Sequence, residues 1–140
     1  MDILPHAALW FSIVSVAIMA GVYFTFSAFV MRSLDAIEAP AGMKAMQSIN
    51  RIIVKSAFLP IFFASTLVCA ALAVRASMFG VTLVGNVPLN NTLEATPAEG
   101  PEAQAIWAMY MRQWTRWNHA RTLSCTASLV FLVLAMAQRI

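Results

Sequence analysis

Four apolar stretches alternate with shorter polar segments along the 140 residues of the chain. They cover approximately residues 7–31, 53–75, 77–87 and 103–138. Because about 20 apolar residues are needed to cross the hydrocarbon of a bilayer as a helix, the first, second and last stretches are long enough and the third is too short. The pattern predicts one all-α domain over residues 1–140, an integral membrane helical bundle with three full spans and a short or truncated fourth segment, similar to a four-helix bundle.

The composition agrees with a membrane protein, because 61% of the residues are hydrophobic, 11% are charged and the mean hydropathy is +0.76. An ordinary globular domain has about 45–50% apolar and about 25% charged residues. We therefore expect a multi-pass protein surrounded by membrane lipid in a cell membrane, and a bacterial inner membrane is the expected location. A cleaved signal peptide is the alternative for the first stretch, but its leader carries Asp2 and no basic residue, which favours a retained span.

The net charge of +3 is spread over loop edges, with no basic stripe and no nucleic-acid-binding motif. Nucleic acid is therefore not expected as a partner. Lysine and arginine are densest between the first two spans, at Arg32, Lys44, Arg51 and Lys55, which predicts that this loop is cytoplasmic and the N-terminus outside. Four arginines after the second span weaken the asymmetry, namely Arg75, Arg112, Arg116 and Arg121.

The first span carries a stripe of small residues at steps of three and four, formed by Ala17, Gly21, Thr25 and Ala28. Such a stripe lets a second helix approach closely, so it predicts a packing face.

A polar and aromatic cluster leads into the last apolar stretch. The helix predicted from residue 103 places a row of side chains on one side, consisting of Trp107, Tyr110, Trp114, Trp117, Arg121 and Ser124, with Asn118 and Cys125 beside it. An aromatic belt at the membrane interface explains the tryptophans. It does not explain Asn118, His119 and Arg121, because an ionisable group in the apolar zone costs about 2.5–3.5 kcal/mol unless it is paired or lines a cavity. The cluster therefore predicts a binding or catalytic site.

Further amides lie near this cluster. Asn86, Asn90 and Asn91 belong to the string Asn-Val-Pro-Leu-Asn-Asn that precedes it. Gln47 and Asn50 lie one turn apart in an amphipathic segment that leads into the second span. For Gln47 and Asn50, interfacial hydrogen bonding and a ligand role are both open.

Four strings resemble the anthrone-oxygenase-like family of small integral membrane proteins. They are Gly-Val-Tyr-Phe-Thr-Phe-Ser around Tyr23, Met-Gln-Ser-Ile-Asn ending at Asn50, Asn-Val-Pro-Leu-Asn-Asn ending at Asn91, and Trp-Thr-Arg-Trp-Asn-His-Ala-Arg ending at Arg121. The resemblance implies four spans and the oxidation of an anthrone methylene to a quinone carbonyl by O2, with no metal or flavin cofactor. In this chain the stretch expected to hold the third span is short by about twenty residues, the length of one crossing.

The number of spans decides which residues can meet. With three spans, His6 and Trp10 face Asn90 and His119. With four, Gln47, Asn50 and Arg51 lie toward Asn118 and Arg121. We favour the family arrangement with four, in which one pocket is enclosed by the first loop, the Asn-rich string and the Trp-rich helix.

The resemblance suggests a mechanism for a flat, hydrophobic hydroxyaromatic substrate. His119 is the expected base, because its unperturbed pKa of about 6.5 suits proton abstraction near neutrality. Arg121, Asn118 and Asn90 would stabilise the oxyanion, and Trp114 and Trp117 would stack on the rings. The remaining predicted substrate-binding residues are Asn86, Asn91, Trp107, Gln47, Asn50 and Tyr23.

Two other classes of function are open. A non-enzymatic binding or accessory subunit of a larger membrane complex, or a homo-oligomer, would need the same helices. A haem or copper protein would use His6 and His119, the only two histidines. Cys69 and Cys125 lie in apolar stretches without a CxxC partner, so we interpret both as buried small side chains.

Overall fold

A computed structural model of the protein describes the backbone of residues 3–68 and 82–138 and the side chains of residues 6–64 and 82–138. These residues are helical and contain no β-strand. The elements are α1 (Ile3–Thr25), a first π-helical turn (Phe26–Val30), α2 (Met31–Asp35), α3 (Ala39–Ile53), α4 (Phe58–Val68), a second π-helical turn (Thr82–Asn86), α5 (Val87–Ala95) and α6 (Ala103–Ala137). The predicted all-α class is confirmed.

The helices α1 and α6 pack against each other in antiparallel directions. The Asn118 side chain of α6 donates to the backbone oxygen of Tyr23 near the end of α1. Further along α6, Cys125 and Leu132 join a buried cluster with Val16 in the middle of α1. The first half of α6 therefore lies at the same end of the bundle as α2, and the start of α1 and the end of α6 lie toward the opposite end.

Two buried clusters hold the bundle together. The larger one joins α2, α3, α5 and the first half of α6, and contains Met31, Met43, Met46, Leu89, Leu93, Ala98, Ala103, Trp107, Tyr110 and Trp114. The second joins α1, α4 and the second half of α6, and contains Val16, Met19, Tyr23, Phe62, Cys125 and Leu132. The interpretation of Cys125 as a buried small side chain is confirmed, whereas Cys69 lies outside the described residues.

Two described helices are long and apolar enough to cross a membrane, namely His6–Asp35 and Ala103–Ala137. At 1.5 Å per residue they measure about 45 and 52 Å, compared with about 30 Å of hydrocarbon. In the predicted second span, 53–75, α4 has 11 residues. Residues 69–75 of that span and residues 77–81 of the predicted segment 77–87 lie outside the described part. Three full spans are therefore not confirmed.

The outer faces of the two long helices expose many large apolar side chains. They include Trp10, Val14, Ile18, Phe24 and Phe29 on the first helix and Leu123, Val130, Phe131, Val133 and Leu134 on α6. Soluble monomers rarely expose continuous apolar patches larger than a few hundred Å². The exposed faces, together with the helix lengths, indicate membrane association.

The predicted small-residue packing face is wrong for the described residues. Ala17, Gly21 and Ala28 are exposed, and a Cβ atom added at Gly21 would meet nothing within 4 Å. The first helix packs instead through Ser12, Ser15, Val16, Met19 and Tyr23.

Surface ion pairs join α3 to α5 and to the segment that follows α5. Arg51 Nη1 lies 2.7 Å from Glu94 Oε1, and Lys44 pairs with Glu99. The Lys44 ammonium holds the pKa of the Glu99 carboxyl below its usual value. Because both pairs are exposed, each contributes little to stability, and their role is to set how α3 lies beside α5.

Candidate active site

A cavity of about 170 Å³ lies where the two buried clusters meet. Its wall is mostly apolar, and its polar groups are concentrated on α3, α5 and α6. The lining residues are Val22, Tyr23, Phe26, Met46, Ile49, Asn50, Ile53, Val54, Phe58, Leu59, Phe62, Thr82, Val87, Asn90, Trp114, Asn118 and Arg121. An apolar wall with a few converging polar groups is the usual character of a small-molecule site.

Arg121 brings a buried positive charge to this cavity. Its side chain is 6% exposed, and its guanidinium carbon lies 4.5 Å from the ring centroid of Tyr23 and 5.1 Å from that of Trp114. Nη2 donates to Oδ1 of Asn118 at 2.8 Å. The two aromatic rings stabilise the cation through their electron-rich faces. Nε, in contrast, is buried and finds no hydrogen-bond partner among the described residues.

No described carboxylate balances the charge of Arg121. The ion pairs found in the described part of the chain are the two exposed ones on α3. Arginine does not lose its proton in proteins. A buried, permanently charged group with an unused donor is therefore arranged to meet an anion.

Asn118 positions Arg121. It is fully buried, and its Nδ2 donates to the backbone oxygen of Tyr23 at 2.8 Å and to Oγ of Ser27 at 2.7 Å. Its Oδ1 accepts from Arg121. Tyr23 precedes the first π-helical turn, and such turns shift the regular helical hydrogen bonds and are frequent at functional sites. The amide of Asn118 thus has both ends engaged by the protein and supports the guanidinium.

Asn90 is oriented by two aromatic residues. Its Oδ1 accepts from the hydroxyl of Tyr110 at 2.8 Å and from Nε1 of Trp114 at 2.9 Å. An indole nitrogen can only donate, so the amide oxygen must face Trp114. The Nδ2 group of Asn90 is the part left for a ligand.

Asn50 adds a third donor to the cavity. Its Nδ2 is buried near the hydroxyl of Tyr110 and, like Nε of Arg121, makes no hydrogen bond of ordinary geometry with the described residues. A buried donor without a partner costs about 1–3 kcal/mol. Two such donors in one cavity indicate a ligand that carries oxygen acceptors.

Asn86 is buried beside this site and outside its lining. Its Nδ2 donates to the backbone oxygen of Trp114 at 3.5 Å, and its Oδ1 finds no partner among the described residues. It lies at the end of the second π-helical turn, where it supports the backbone of α6.

Several other predicted site residues lie outside the cavity. Gln47 donates through Nε2 to the backbone oxygens of Leu93 at 2.8 Å and Thr96 at 3.0 Å, so it caps the end of α5. Trp107 is buried in the larger cluster, where its ring stacks on Tyr110.

Asn91, Trp117 and His119 are exposed. Trp117 covers Gly85, where an added Cβ atom would lie only 2.5 Å from the indole ring. His119, the expected base, is two positions from Arg121 and therefore lies on a different side of α6. The structure does not bring it to the cavity.

The two histidines are far apart. His119 follows Asn118, which contacts Tyr23, and His6 lies 17 residues before Tyr23 on α1. At 1.5 Å per residue the separation along the bundle is about 25 Å. Across the described residues, no three His, Cys, Asp or Glu side chains come close enough to form a metal-binding group.

One of the three residues in the four-span expectation reaches the cavity, because Asn50 lines it together with Asn118 and Arg121, whereas Gln47 and Arg51 do not line it. The apolar wall was not predicted from the sequence. Phe58 and Phe62 supply much of it, with ring centroids 6.4 Å apart. Their spacing of four residues on α4 was the available signal, but the same spacing also occurs in ordinary packing.

Comparison with known proteins gives one match. A family model described as anthrone oxygenase matches residues 60–131, just over half of the chain. The match includes Asn90, Trp114, Asn118 and Arg121, and it ends before the last six residues of α6. No curated protein sequence and no solved structure matches the chain.

Proposed function

The chain belongs to the anthrone oxygenase family, and we propose that it is a membrane-embedded oxygenase that oxidises a flat hydroxyaromatic substrate, similar to an anthrone, with O2. The observation that carries this proposal is the buried Arg121, which lines an apolar cavity, has no described carboxylate partner and has an unused Nε donor. Such a group suits an aromatic anion.

Arg121 would act by favouring the ionised form of the substrate. An anthrone is a weak acid, because loss of a methylene proton gives an enolate whose charge is shared with the fused rings. A positive charge within about 4–6 Å lowers the pKa of an acid by about 1–3 units. Arg121 Nε, with the amide donors of Asn50 and Asn90, would hold the enolate oxygen, and the released proton passes to water. The proposed mechanism does not use His119.

The enolate then reacts with O2. It gives one electron to O2, the carbon radical and superoxide combine to form a carbon–oxygen bond, and protonation gives a hydroperoxide. Loss of water from this hydroperoxide leaves a carbonyl group. In sum, one methylene and one O2 give one carbonyl and one water, so the carbon loses four electrons and O2 gains four. The part of the protein in this reaction is to stabilise the anion.

The activity is tested with 1,8-dihydroxyanthrone in proteoliposomes, by O2 consumption and by the absorbance of the quinone, with protein-free liposomes as the measure of spontaneous oxidation. Arg121→Gln removes the charge and the Nε donor and should lower kcat/KM by about 10²- to 10³-fold, the usual effect of removing an oxyanion donor. Arg121→Lys keeps the charge and should retain part of the activity.

The matched control is Arg116→Gln, which makes the same change at an exposed position of α6. It should leave kcat/KM unchanged. Equal activity of folded Arg121→Gln and Arg116→Gln proteins would contradict the proposed site. A wild-type protein that consumes no O2 with hydroxyaromatic compounds, and that copurifies with a larger complex, would favour the accessory-subunit function instead.

A further inference from the structure

The cavity opens at one place. Among the lining residues that the structure describes, only two are exposed, Val54 at 52% and Val87 at 37%. Val54 follows the last residue of α3, and Val87 is the first residue of α5. The mouth of the cavity therefore lies between the end of α3 and the start of α5, and both of its edges are valines.

The surface around this mouth is apolar on one side and charged on the other. Ile52, Leu83 and Val84 are exposed beside the two valines. The Arg51–Glu94 pair joins α3 to α5, and Glu94 is seven residues beyond Val87, about 10 Å along the helix. Exposed Lys55 directly follows Val54. The long side chains of lysine and arginine can extend to the headgroups while their stems lie along apolar surface, so the mouth fits the boundary between lipid headgroups and hydrocarbon.

The volume of the cavity also favours access from the lipid. An engineered cavity of about 150 Å³ in another protein holds a single benzene ring. A cavity of about 170 Å³ therefore holds the ionisable end of a fused three-ring substrate, while the rest extends through the mouth. Rings that extend into lipid stay in an apolar environment. Rings that extend into water would expose apolar surface, which costs a free energy of about 25 cal/mol per Å².

We infer that the mouth between Val54 and Val87 opens into the bilayer and that the cavity takes its aromatic substrate laterally from the lipid. The inference rests on the proposed function for the nature of the substrate. The orientation of the mouth toward lipid can be tested separately from catalysis.

The catalytic test narrows the mouth. Val54→Trp and Val87→Trp each place a large ring at its edge, and should lower kcat/KM for lipid-dissolved 1,8-dihydroxyanthrone at least tenfold, chiefly through KM. The control is Val130→Trp, which makes the same change at a valine of α6 that is 51% exposed and does not line the cavity. Its kcat/KM should stay within twofold of wild type. Equal activities for all three folded variants would overturn the inference while leaving the oxygenase proposal in place.

The second test does not require activity. Val54→Cys and Ala41→Cys are made in a background in which Cys69 and Cys125 are replaced by alanine, with circular dichroism as the check on folding. Each protein in vesicles is treated with a lipid-soluble pyrene maleimide or a sulfonated maleimide that stays in water. Ala41 is exposed in the first turns of α3 and serves as the water-side control.

The measured quantity is the ratio of the labelling rate with the lipid-soluble reagent to the labelling rate with the water-soluble one. This ratio should be at least tenfold higher for the cysteine at position 54 than for the cysteine at position 41. The same preference at both positions would mean that the mouth faces water, and would overturn the inference even if the enzyme is active. A lipid preference at position 54 in a protein without oxygenase activity would support the mouth and contradict the proposed function.

Discussion

At the scale of single residues, the candidate site is defined by the amide of Asn118 and the guanidinium beside it. Asn118 uses its nitrogen on Tyr23 and Ser27 and its oxygen on Arg121. It is thus a positioning residue with no group left for the substrate. Arg121, held between Tyr23 and Trp114, keeps one donor for a ligand. Two predictions test these assignments, one at Asn118 and one at His119.

Asn118→Asp should shift the pH dependence of kcat to higher pH. The new carboxylate would pair with Arg121 and cancel the field that favours the ionised substrate, so the bound substrate should require a pH about one unit higher or more to ionise. The measurement is kcat against pH with 1,8-dihydroxyanthrone. Asn91→Asp makes the same change at an exposed position and should leave the profile in place. An unshifted profile in a folded Asn118→Asp protein would contradict the role of Arg121.

His119→Ala tests the residue that sequence reasoning selected as the base. Because His119 is exposed and outside the cavity lining, its loss should change kcat by no more than about twofold, as for most surface substitutions. The measurement is the initial rate of quinone formation in proteoliposomes. A loss of about 10²-fold or more, the usual contribution of a general base, would restore His119 to the mechanism.

At the scale of elements, two glycines allow helices to approach closely. A Cβ atom at Gly42 of α3 would lie 2.6 Å from the backbone oxygen of Leu34 and 2.9 Å from the ring of Trp107. A Cβ atom at Gly85 would lie 2.5 Å from the ring of Trp117. Gly42 therefore fixes α3 against α2 and α6, and Gly85 fixes the second π-helical turn against α6.

Gly42→Ala should destabilise the protein by about 1–3 kcal/mol, the usual effect of overpacking, because the backbone oxygen of Leu34 cannot move aside as a side chain can. Gly21→Ala is the control, since an added Cβ atom there meets nothing within 4 Å. The measurement is the thermal midpoint Tm in detergent. Equal Tm values for the two variants would show that α3 does not pack as described.

At the scale of the whole molecule, the antiparallel packing of α1 and α6 leads to a prediction of the orientation in the membrane. Arg112 and Arg116 lie in the first half of α6 and are exposed, so they are at the same end of the bundle as Arg32 and α3. In the sequence alone, the basic residues after the second predicted span weaken the difference in charge between the two ends. In the structure, Arg112 and Arg116 lie at the already basic end and increase that difference. By the positive-inside tendency we expect this end to be cytoplasmic.

Both termini should therefore lie on the outer face of the membrane. An alkaline phosphatase fused to the C-terminus should be active and a fluorescent protein fused there should not fluoresce. A cysteine at Ala41, in the background without native cysteines, should react with a water-soluble maleimide only after the membrane is permeabilised. The opposite result at either position would mean that the bundle is inverted or that the two ends lie on different sides.

The sequence by itself determined the properties that depend on local spacing. Apolar length determined the helices that can cross a membrane, and steps of three and four residues placed Trp107, Tyr110, Trp114 and Arg121 on one side of α6, where all four are buried. The helical class and the family were recognisable for the same reason, because both are carried by short stretches of neighbouring residues.

Only the tertiary structure decided which face of each helix meets which neighbour. The small-residue stripe on α1 was a plausible contact surface, yet the contact is made by Tyr23 and Ser27 with Asn118, residues that are more than 90 positions apart. The same contact turns Arg121 toward the cavity and His119 away from it. Helical periodicity is a local property and fixes angles within one helix, whereas the rotation of one helix against another depends on long-range packing that no short segment of the sequence contains.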